Sequence, residues 1–504
     1  MDIPMLNHFI DGAFVAPSSG AYLAVDNPAT GEVFAQVARG NAADVDLAVA
    51  AAQRAFDDPA WRDMPPSKRS ALLTSFIDVI KHNAQELAYL ESISSGGTVS
   101  RIGALDLMMI IDYIMTMADV VKTYPFTTSL PPKPLPELTD VKVVKEAIGV
   151  CGLIPAWNMP ILLFINKVLP ALAAGNTVVV KPSELTPHTA TRLAQLLSPL
   201  LPPGVLNVVN GVGTEAGEAL TLHPGVAKIS FTGSTAIGKR IQINAAATLK
   251  RVTLELGGKG AAIVTADADL HAVAHGALFG VMLNAGQACE SGTRLLVQRA
   301  IYPALLARLA EVASRLQVGN PLDPRTSLGP MCHAAHGKKV LAHIESAIDE
   351  GARLVCGGAR VIVPGCEGGF FVAPTVLADC HNLMRAVREE IFGPVLAVIP
   401  YDDIEEAVAI ANDSDYGLSA GVWTGDVLAA QAIARRLRAG SVWINDWHML
   451  RTDVPFGGYK QSGQGRELGV AGLESYLETK AISTAFQRAP EKKQMTYAII
   501  HKSA

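Results

Sequence analysis

Between residues 149 and 256 short apolar runs at 178–180, 206–209, 227–231 and 252–256 alternate with helix-like segments near 188–201, 214–222 and 234–247. Strand-length runs separated by single helices predict a parallel sheet with crossover helices. Upstream, 43–56 is alanine-rich and 66–90 repeats apolar residues every three or four positions, which predicts helices. The stretch 124-YPFTTSLPPKPLPELTD-140 carries prolines that forbid a helix interior. It reads as a linker or as an excursion returning through the strand-like 141-VKVVKEAIGV-150. An α/β rhythm resumes over about 257–458, and from about 474 the tail is rich in β-branched and aromatic residues. No repeat of 20–50 residues and no low-complexity tract is present. The most apolar passage, 153–180, is interrupted by Pro155, Asn158, Pro160, Asn166, Lys167 and Pro170. A membrane span needs about 20 nearly uninterrupted apolar residues, so this reads as a buried strand–loop–helix passage.

Composition narrows the picture. A chain of 504 residues suggests two or three domains, and 49% hydrophobic against 18% charged residues supplies an ample core. A net charge of −5 with no basic stripe argues against a nucleic-acid partner. The six cysteines show no C-x-x-C and no tight metal-ligand spacing, so reduced thiols, a cytoplasmic setting and no metal site are expected. The N-terminus MDIPMLNHFIDGAFV lacks the charge-then-apolar order of a signal peptide.

Six places could carry chemistry. In 284-NAGQACESGTR-294 a small-residue loop presents Cys289 with Glu290 directly after it, although a neighbouring carboxylate disfavours a thiolate. Glu255 ends the apolar strand RVTLEL beside Gly257 and Gly258; desolvation there would raise its pKa and make it a usable base, or it is one half of a buried ion pair. Asn158, held between two prolines in 155-PAWNMP-160, suits an oxyanion donor or is a turn asparagine. Lys181, Ser183 and Glu184 close the strand NTVVVK where open α/β sheets bind ligands, and a carboxylate there suits ribose hydroxyls; a solvated turn is the alternative. Two glycine-rich turns, Gly211–Ala216 as a loose G-x-G-x-x-A and 231-FTGSTAIG-238, could cradle phosphate at a helix N-terminus or be ordinary turns.

Together these pieces resemble the aldehyde dehydrogenase superfamily in its hydrolytic, NAD(P)-dependent branch. The match runs from about 10-IDGAFV-15 to 479-TKAI-482 and includes, in family order, IPAWNMP, the strand ending KPSE, PPGVLNVVNG, ISFTGSTAIGKRI, LELGGK, NAGQACESGTR, EEIFGPV, NDSDYGLSAGVW and PFGGYKQSGQGRELG. The resemblance implies an α/β fold: a Rossmann-like cofactor domain (1–123 and 147–256), an α/β catalytic domain (257–473) and a small β bridging domain (124–146 and 474–504). It implies that Cys289 attacks an aldehyde, that the Asn158 amide and the Cys289 N–H hold the alkoxide, and that hydride passes to the nicotinamide. Glu255 then activates water against the thioester, with Lys167 and Glu467 supporting proton movement. The cofactor would be NAD, with NADP left open by the KPSE glutamate. It would be held by Ile154, Pro155, Trp157, Lys181, Ser183, Glu184, Gly213, Gly217, Phe231, Thr232, Gly233, Ser234, Leu256, Gly257, His336, Glu390 and Phe392. Met159, Leu162, Leu163, Asn166, Trp447, His448, Leu450 and Phe456 match the substrate tunnel, a mix suited to a medium-sized hydrophobic or aromatic aldehyde. Arg451 would instead steer a carboxylated semialdehyde. The partners implied are a small aldehyde and further copies of the chain in a dimer or tetramer, with no nucleic acid and no membrane.

Two positions depart from the family pattern: Glu290-Ser291 follows the nucleophile, where a small or apolar residue and alanine are usual, and Gly260 follows LELGGK. If helical geometry began at Cys289, residue 290 would be rotated by about 100°. Glu290 is therefore expected to point away from the sulfur, onto a backbone amide or arginine outside the tunnel. Competing readings are CoA-acylating oxidation, opposed by the presence of Glu255; a silent protein that keeps the fold, opposed by Cys289 and Asn158; and a cysteine hydrolase, for which none of the 12 histidines offers a partner motif.

Overall fold

The computed structural model describes residues 3–133, 138–486 and 500. Among them the strands form several sheets, three of which frame the site and the domain layout. The first carries five parallel strands in spatial order Arg251–Glu255, Lys228–Thr232, Val150–Ile154, Thr177–Val180, Leu206–Val208. In chain order that is 5-4-1-2-3, the doubly wound dinucleotide-binding arrangement, with its switch point between Val150–Ile154 and Lys228–Thr232. Helix Pro160–Ala173 is that of the strand–loop–helix passage; Pro187–Leu197 and Thr235–Ala246 fall within a few residues of expectation, and the segment expected near 214–222 is a π-helical turn, Gly213–Gly217, followed by a short helix, Glu218–Leu222. Prolines stand in the first turn of the first two helices, where the missing N–H costs nothing.

The second sheet orders Arg353–Cys356, Thr375–Ala378, Val395–Tyr401, Arg294–Gln298, Ala261–Val264, Ser419–Trp423 and Ser441–Ile444, parallel except for the first pair. It surrounds the largest apolar cluster of the molecule. The third sheet settles the proline-rich excursion in favour of a returning strand. Thr127–Lys133 pairs antiparallel with Thr139–Ala147, which pairs with Leu477–Ala485. Pro131 and Pro132 lie on the edge strand, where register shifts between Leu130 and Lys133; an edge is where a strand tolerates missing donors. Residues 134–137, 487–499 and 501–504 of the excursion and tail lie outside the described residues.

Two expectations need correction, and two short strands were not foreseen. The periodic stretch 66–90 is two helices, Pro66–His82 and Ala84–Ser95, parted at Asn83, because apolar spacing continued across a break. The strand-like 141–150 belongs to two sheets: the chain leaves the third sheet after Ala147, turns at Gly149 with φ +134°, and enters the first at Val150. His8–Ile10 and Ala13–Val15, too short to register as strands, extend the first sheet antiparallel to Leu206–Val208.

Candidate active site

The C-terminal ends of the first sheet's strands deliver the chemistry. After Val150–Ile154 the chain runs through Pro155–Asn158 into helix Pro160–Ala173, leaving Asn158 buried. Glu255 is the last residue of its strand and also buried. The nucleophile loop comes from the other side. Helix Leu270–Met282 ends in a kink where Asn284 and Ala285 both take φ +53°, a left-handed turn that swings 287–290 toward the first sheet. Asn284 Nδ2 donates to the Asn158 carbonyl at 2.9 Å, and Asn158 Nδ2 donates to the Gln287 carbonyl at 3.0 Å. Two cross-links thus fix the donor amide against the loop that carries Cys289, and the second Nδ2 hydrogen remains available.

Cys289 and Glu255 line one cavity of about 360 Å³ together with Asn158. Burial pushes the Cys289 thiol well above its ordinary range, and the Glu290, Glu390 and Glu255 charges add to this. Burial, then the Glu467 charge, raises the Glu255 carboxyl well above the usual carboxylate range, while Lys167 and Arg466 pull it back. Neither Glu255 oxygen has a hydrogen-bond partner among the described residues. Behind it the fully buried Lys167 donates to Glu467 Oε1 at 2.6 Å and to Ser230 Oγ at 3.2 Å.

Thr232, Gly233, Ser234, Leu256, Gly257, Trp157, His336, Glu390 and Phe392 line the same cavity. The Trp157 ring stands edge-on to Phe392 and His336 at 5.3 and 5.6 Å, and the His336 imidazole meets the Phe392 carbonyl at 2.7 Å. Burial raises Glu390 to about 7, and the Gly258 N–H donates to its Oε1 at 3.0 Å. Ile154 and Phe231 sit behind this wall, and a side chain at Gly233 would strike the Phe231 ring. Lys181, Glu184 and Gly217 form a neighbouring group at the next strand end: Lys181 Nζ meets Glu184 Oε2 at 3.0 Å, and Gly217 faces the Lys181 stem. Ser183 caps that turn by accepting from Leu185 N at 3.3 Å, Pro155 opens the Asn158 turn, and Gly213 begins a short π-helical turn facing open space.

A dinucleotide fits these residues. The helix N-terminus at Ser234 has no side-chain cap, so its N–H groups are free for phosphate. The Thr232 hydroxyl beside it is buried with no hydrogen-bond partner among the described residues, and a Cβ at Gly257 would lie 2.3 Å from the Glu390 carboxylate. The cradle requires bare backbone.

On the substrate side Met159, Leu162, Leu163, Asn166, Leu450 and Phe456 line the cavity as expected, joined by Met109 and Leu468, which the motifs did not reveal. Trp447 does not. It is 1% exposed and packs beneath the nucleophile turn, where its indole N–H donates to the Glu290 carbonyl at 2.9 Å. Space for it comes from Gly280, Gly292 and Gly421, and the unusual glycine after LELGGK sits in the same packing: a Cβ at Gly260 would lie 2.6 Å from the Ser291 carbonyl, 2.8 Å from Ser419 Oγ and 3.0 Å from the indole ring. His448 also leaves the tunnel wall, turning its Nδ1 to Glu290 Oε1 at 2.9 Å. Arg451 is exposed and paired with Asp453 at 2.6 Å; it lies outside this cavity's lining and borders the adjoining one with Leu450 and Phe456.

The expectation for Glu290 is overturned. Cys289 and Glu290 lie in a turn, not a helix, so the two side chains share one side. The Cys289 thiol donates to Glu290 Oε2 at 3.3 Å, and Glu290 lines the cavity. Burial opposes ionisation of Glu290, but the hydrogen bond and charge of His448 outweigh it and leave the carboxyl below its ordinary range. Sequence reasoning also missed Gln287, whose carboxamide receives Cys332 N at 2.9 Å and locks the loop, and Lys259, whose buried, unpartnered amine is pushed down to about 7 by burial.

A cysteine, a carboxamide and a basic carboxylate alone would suit a hydrolase. Placed at the switch point of a dinucleotide-binding sheet, they define an oxidoreductase instead. The chain belongs to the aldehyde dehydrogenase family, whose model matches residues 14–482. It is thus an enzyme that oxidises aldehydes with a nicotinamide dinucleotide as acceptor. It is 41% identical over 477 residues to a betaine aldehyde dehydrogenase of Bacillus subtilis, covering 94% of this chain and 96% of that protein. Among solved structures it is similar to the P. syringae indole-3-acetaldehyde dehydrogenase AldA in complex with NAD+ and IAA, with 39% identity, TM-score 0.93 and coverage of 96% and 97%. A betaine aldehyde dehydrogenase of Staphylococcus aureus in complex with NAD+ is 37% identical with TM-score 0.93, covering 96% and 95%.

Proposed function

We propose that the enzyme converts a medium-sized hydrophobic or aromatic aldehyde to its carboxylic acid with NAD, releasing the product by hydrolysis. The observation that carries this reading is the single cavity holding Cys289, Asn158 and a Glu255 carboxyl without a hydrogen-bond partner among the described residues, beside a cluster of apolar side chains. Cys289 adds to the aldehyde carbon while the second Nδ2 hydrogen of Asn158 and the Cys289 N–H stabilise the alkoxide. When bound, the dinucleotide supplies the hydride acceptor. Glu255 then takes a proton from the water that attacks the thioester on Cys289. Its raised pKa makes it basic enough for that task, and the Lys167–Glu467–Ser230 cluster behind it is placed to carry the proton away. The Met159, Leu162, Leu163, Met109, Leu450 and Phe456 lining supports an apolar substrate. Glu184 beside Lys181 supports NAD over a 2′-phosphorylated cofactor, which its carboxylate would repel.

The three sheets are read as belonging to cofactor, catalytic and bridging domains, the bridging one taken as residues 124–146 and 474–504, carrying the strands Thr127–Lys133, Thr139–Ala147 and Leu477–Ala485, and assembling the chain into dimers or tetramers. Strand Leu477–Ala485 supports this, because it is a largely exposed sheet edge.

The test is a kcat/KM panel of aromatic, aliphatic, betaine-like and semialdehyde substrates, joined to rapid mixing of Glu255→Gln. The aromatic and larger aliphatic aldehydes should lead. The variant should form about one NADH per site and then stall, since only thioester hydrolysis has lost its base. In the wild type, steady-state kcat should rise with pH as Glu255 loses its proton, with the midpoint above the usual carboxylate range. A charged semialdehyde leading the panel, or undiminished turnover by Glu255→Gln, would reject the reading.

A further inference from the structure

We infer that Glu290, held by His448, is the base that takes the proton from the Cys289 thiol, leaving Glu255 for the hydrolytic water. The inference rests on the aldehyde-oxidising reading of the site and divides its two proton transfers between two carboxylates.

The geometry carries it. The Cys289 thiol donates to Glu290 Oε2 at 3.3 Å, its one hydrogen bond among the described residues. The other oxygen, Oε1, is fixed by His448 Nδ1 at 2.9 Å. His448 is buried, edge-on to Phe279 at 5.4 Å, and its Nε2 has no partner among the described residues, so the ring is committed to Glu290. The Glu290 backbone is clamped independently: its carbonyl accepts from Ser419 Oγ at 2.8 Å and from Trp447 Nε1 at 2.9 Å. Neighbouring residues 447 and 448 thus hold the main chain and the side chain of one glutamate, and Gly260 sits in the same packing. A carboxylate needed only to fill space would not require this scaffold.

The charges facing the thiol are Glu290, Glu390 and Glu255, all acidic, so a free thiolate is disfavoured before substrate arrives. The proton should therefore leave as the bond forms. As the aldehyde carbon meets sulfur, the S–H bond breaks and its electron pair becomes the new S–C bond. The proton passes to Glu290 Oε2, and the carbonyl π pair moves onto oxygen; no oxidant is needed. Glu290 touches the reacting sulfur and is a catalytic residue, whereas His448 keeps its carboxylate ionised and aimed and is a positioning residue.

Alkylation of Cys289 by iodoacetamide tests this without aldehyde or NAD, so its outcome does not depend on whether the oxidation reading holds. Rates would be followed from pH 5 to 10 for wild type, Glu290→Gln, Glu290→Asp, His448→Gln and Glu255→Gln, on protein whose melting curve shows it folded. Glu290→Gln should lose at least about tenfold at pH 7 and then climb with pH toward the high thiol range. Glu290→Asp should recover part of the loss, and His448→Gln should move the acid limb to higher pH. Glu255→Gln, which removes one of the acidic groups that disfavour the thiolate, should alkylate no more slowly than the wild type while failing in steady-state turnover. Faster alkylation by Glu290→Gln would make the carboxylate an electrostatic shield and overturn the inference. An unchanged rate in Glu290→Gln, or an equal loss in Glu255→Gln, would overturn it too.

Discussion

Asn158 shows how one side chain can be both structural and chemical. Its amide joins two loops through Gln287, and its carbonyl accepts from Asn284, so its position is set by the segment that carries the nucleophile. Asn158→Ala should lower kcat by about 10²–10³ with little change in KM, because the lost donor acts on charge that develops only in the transition state. Steady-state kinetics on variant protein with a native melting profile would check this; an effect confined to KM would point to lost loop order instead. The main catalytic candidates were legible in the sequence because their chemistry demands unusual contexts: a thiol in a small-residue loop, a carboxylate closing an apolar strand, an amide between prolines. Glu290 was not, because its direction depends on whether residue 289 opens a helix or a turn, and neighbouring residue types did not decide that.

At the scale of elements, the nucleophile turn is built on Trp447. Four glycines from separate segments, Gly260, Gly280, Gly292 and Gly421, pack against its ring. Trp447→Ala should destabilise the protein by about 3–5 kcal/mol, the usual cost of emptying a large aromatic core site. Because the ring also holds the Glu290 carbonyl, Cys289 alkylation should lose its dependence on Glu290 at temperatures well below the melting point. Denaturant unfolding beside alkylation rates would show both effects, and a stability loss below about 1 kcal/mol would contradict this account of the packing. The family resemblance placed Trp447 in the tunnel because its position matches a tunnel residue of the family. What moved it inward was space left by residues far away in the chain, which a local pattern does not encode.

Across the whole molecule, the strand–helix alternation of 149–256 was readable because each crossover has its own apolar run, and the observed elements fall close to it. The N-terminal strands and the split at Gly149 were not readable, since two- and three-residue strands and changes of sheet leave no periodicity. The exposed strand Leu477–Ala485 carries the assembly proposal: Ile482→Asp should shift light-scattering mass toward smaller species, whereas an unchanged assembly would place the interface elsewhere. The central claim, that one cysteine at the switch point of a dinucleotide sheet oxidises aldehydes, is tested most directly by following NADH absorbance. An aromatic and an aliphatic aldehyde would be supplied with NAD, with and without CoA, to wild type and Cys289→Ala. The account expects NADH from wild type without CoA and none above background from the alanine variant. Turnover that survives in Cys289→Ala, or that requires CoA in the wild type, would contradict it.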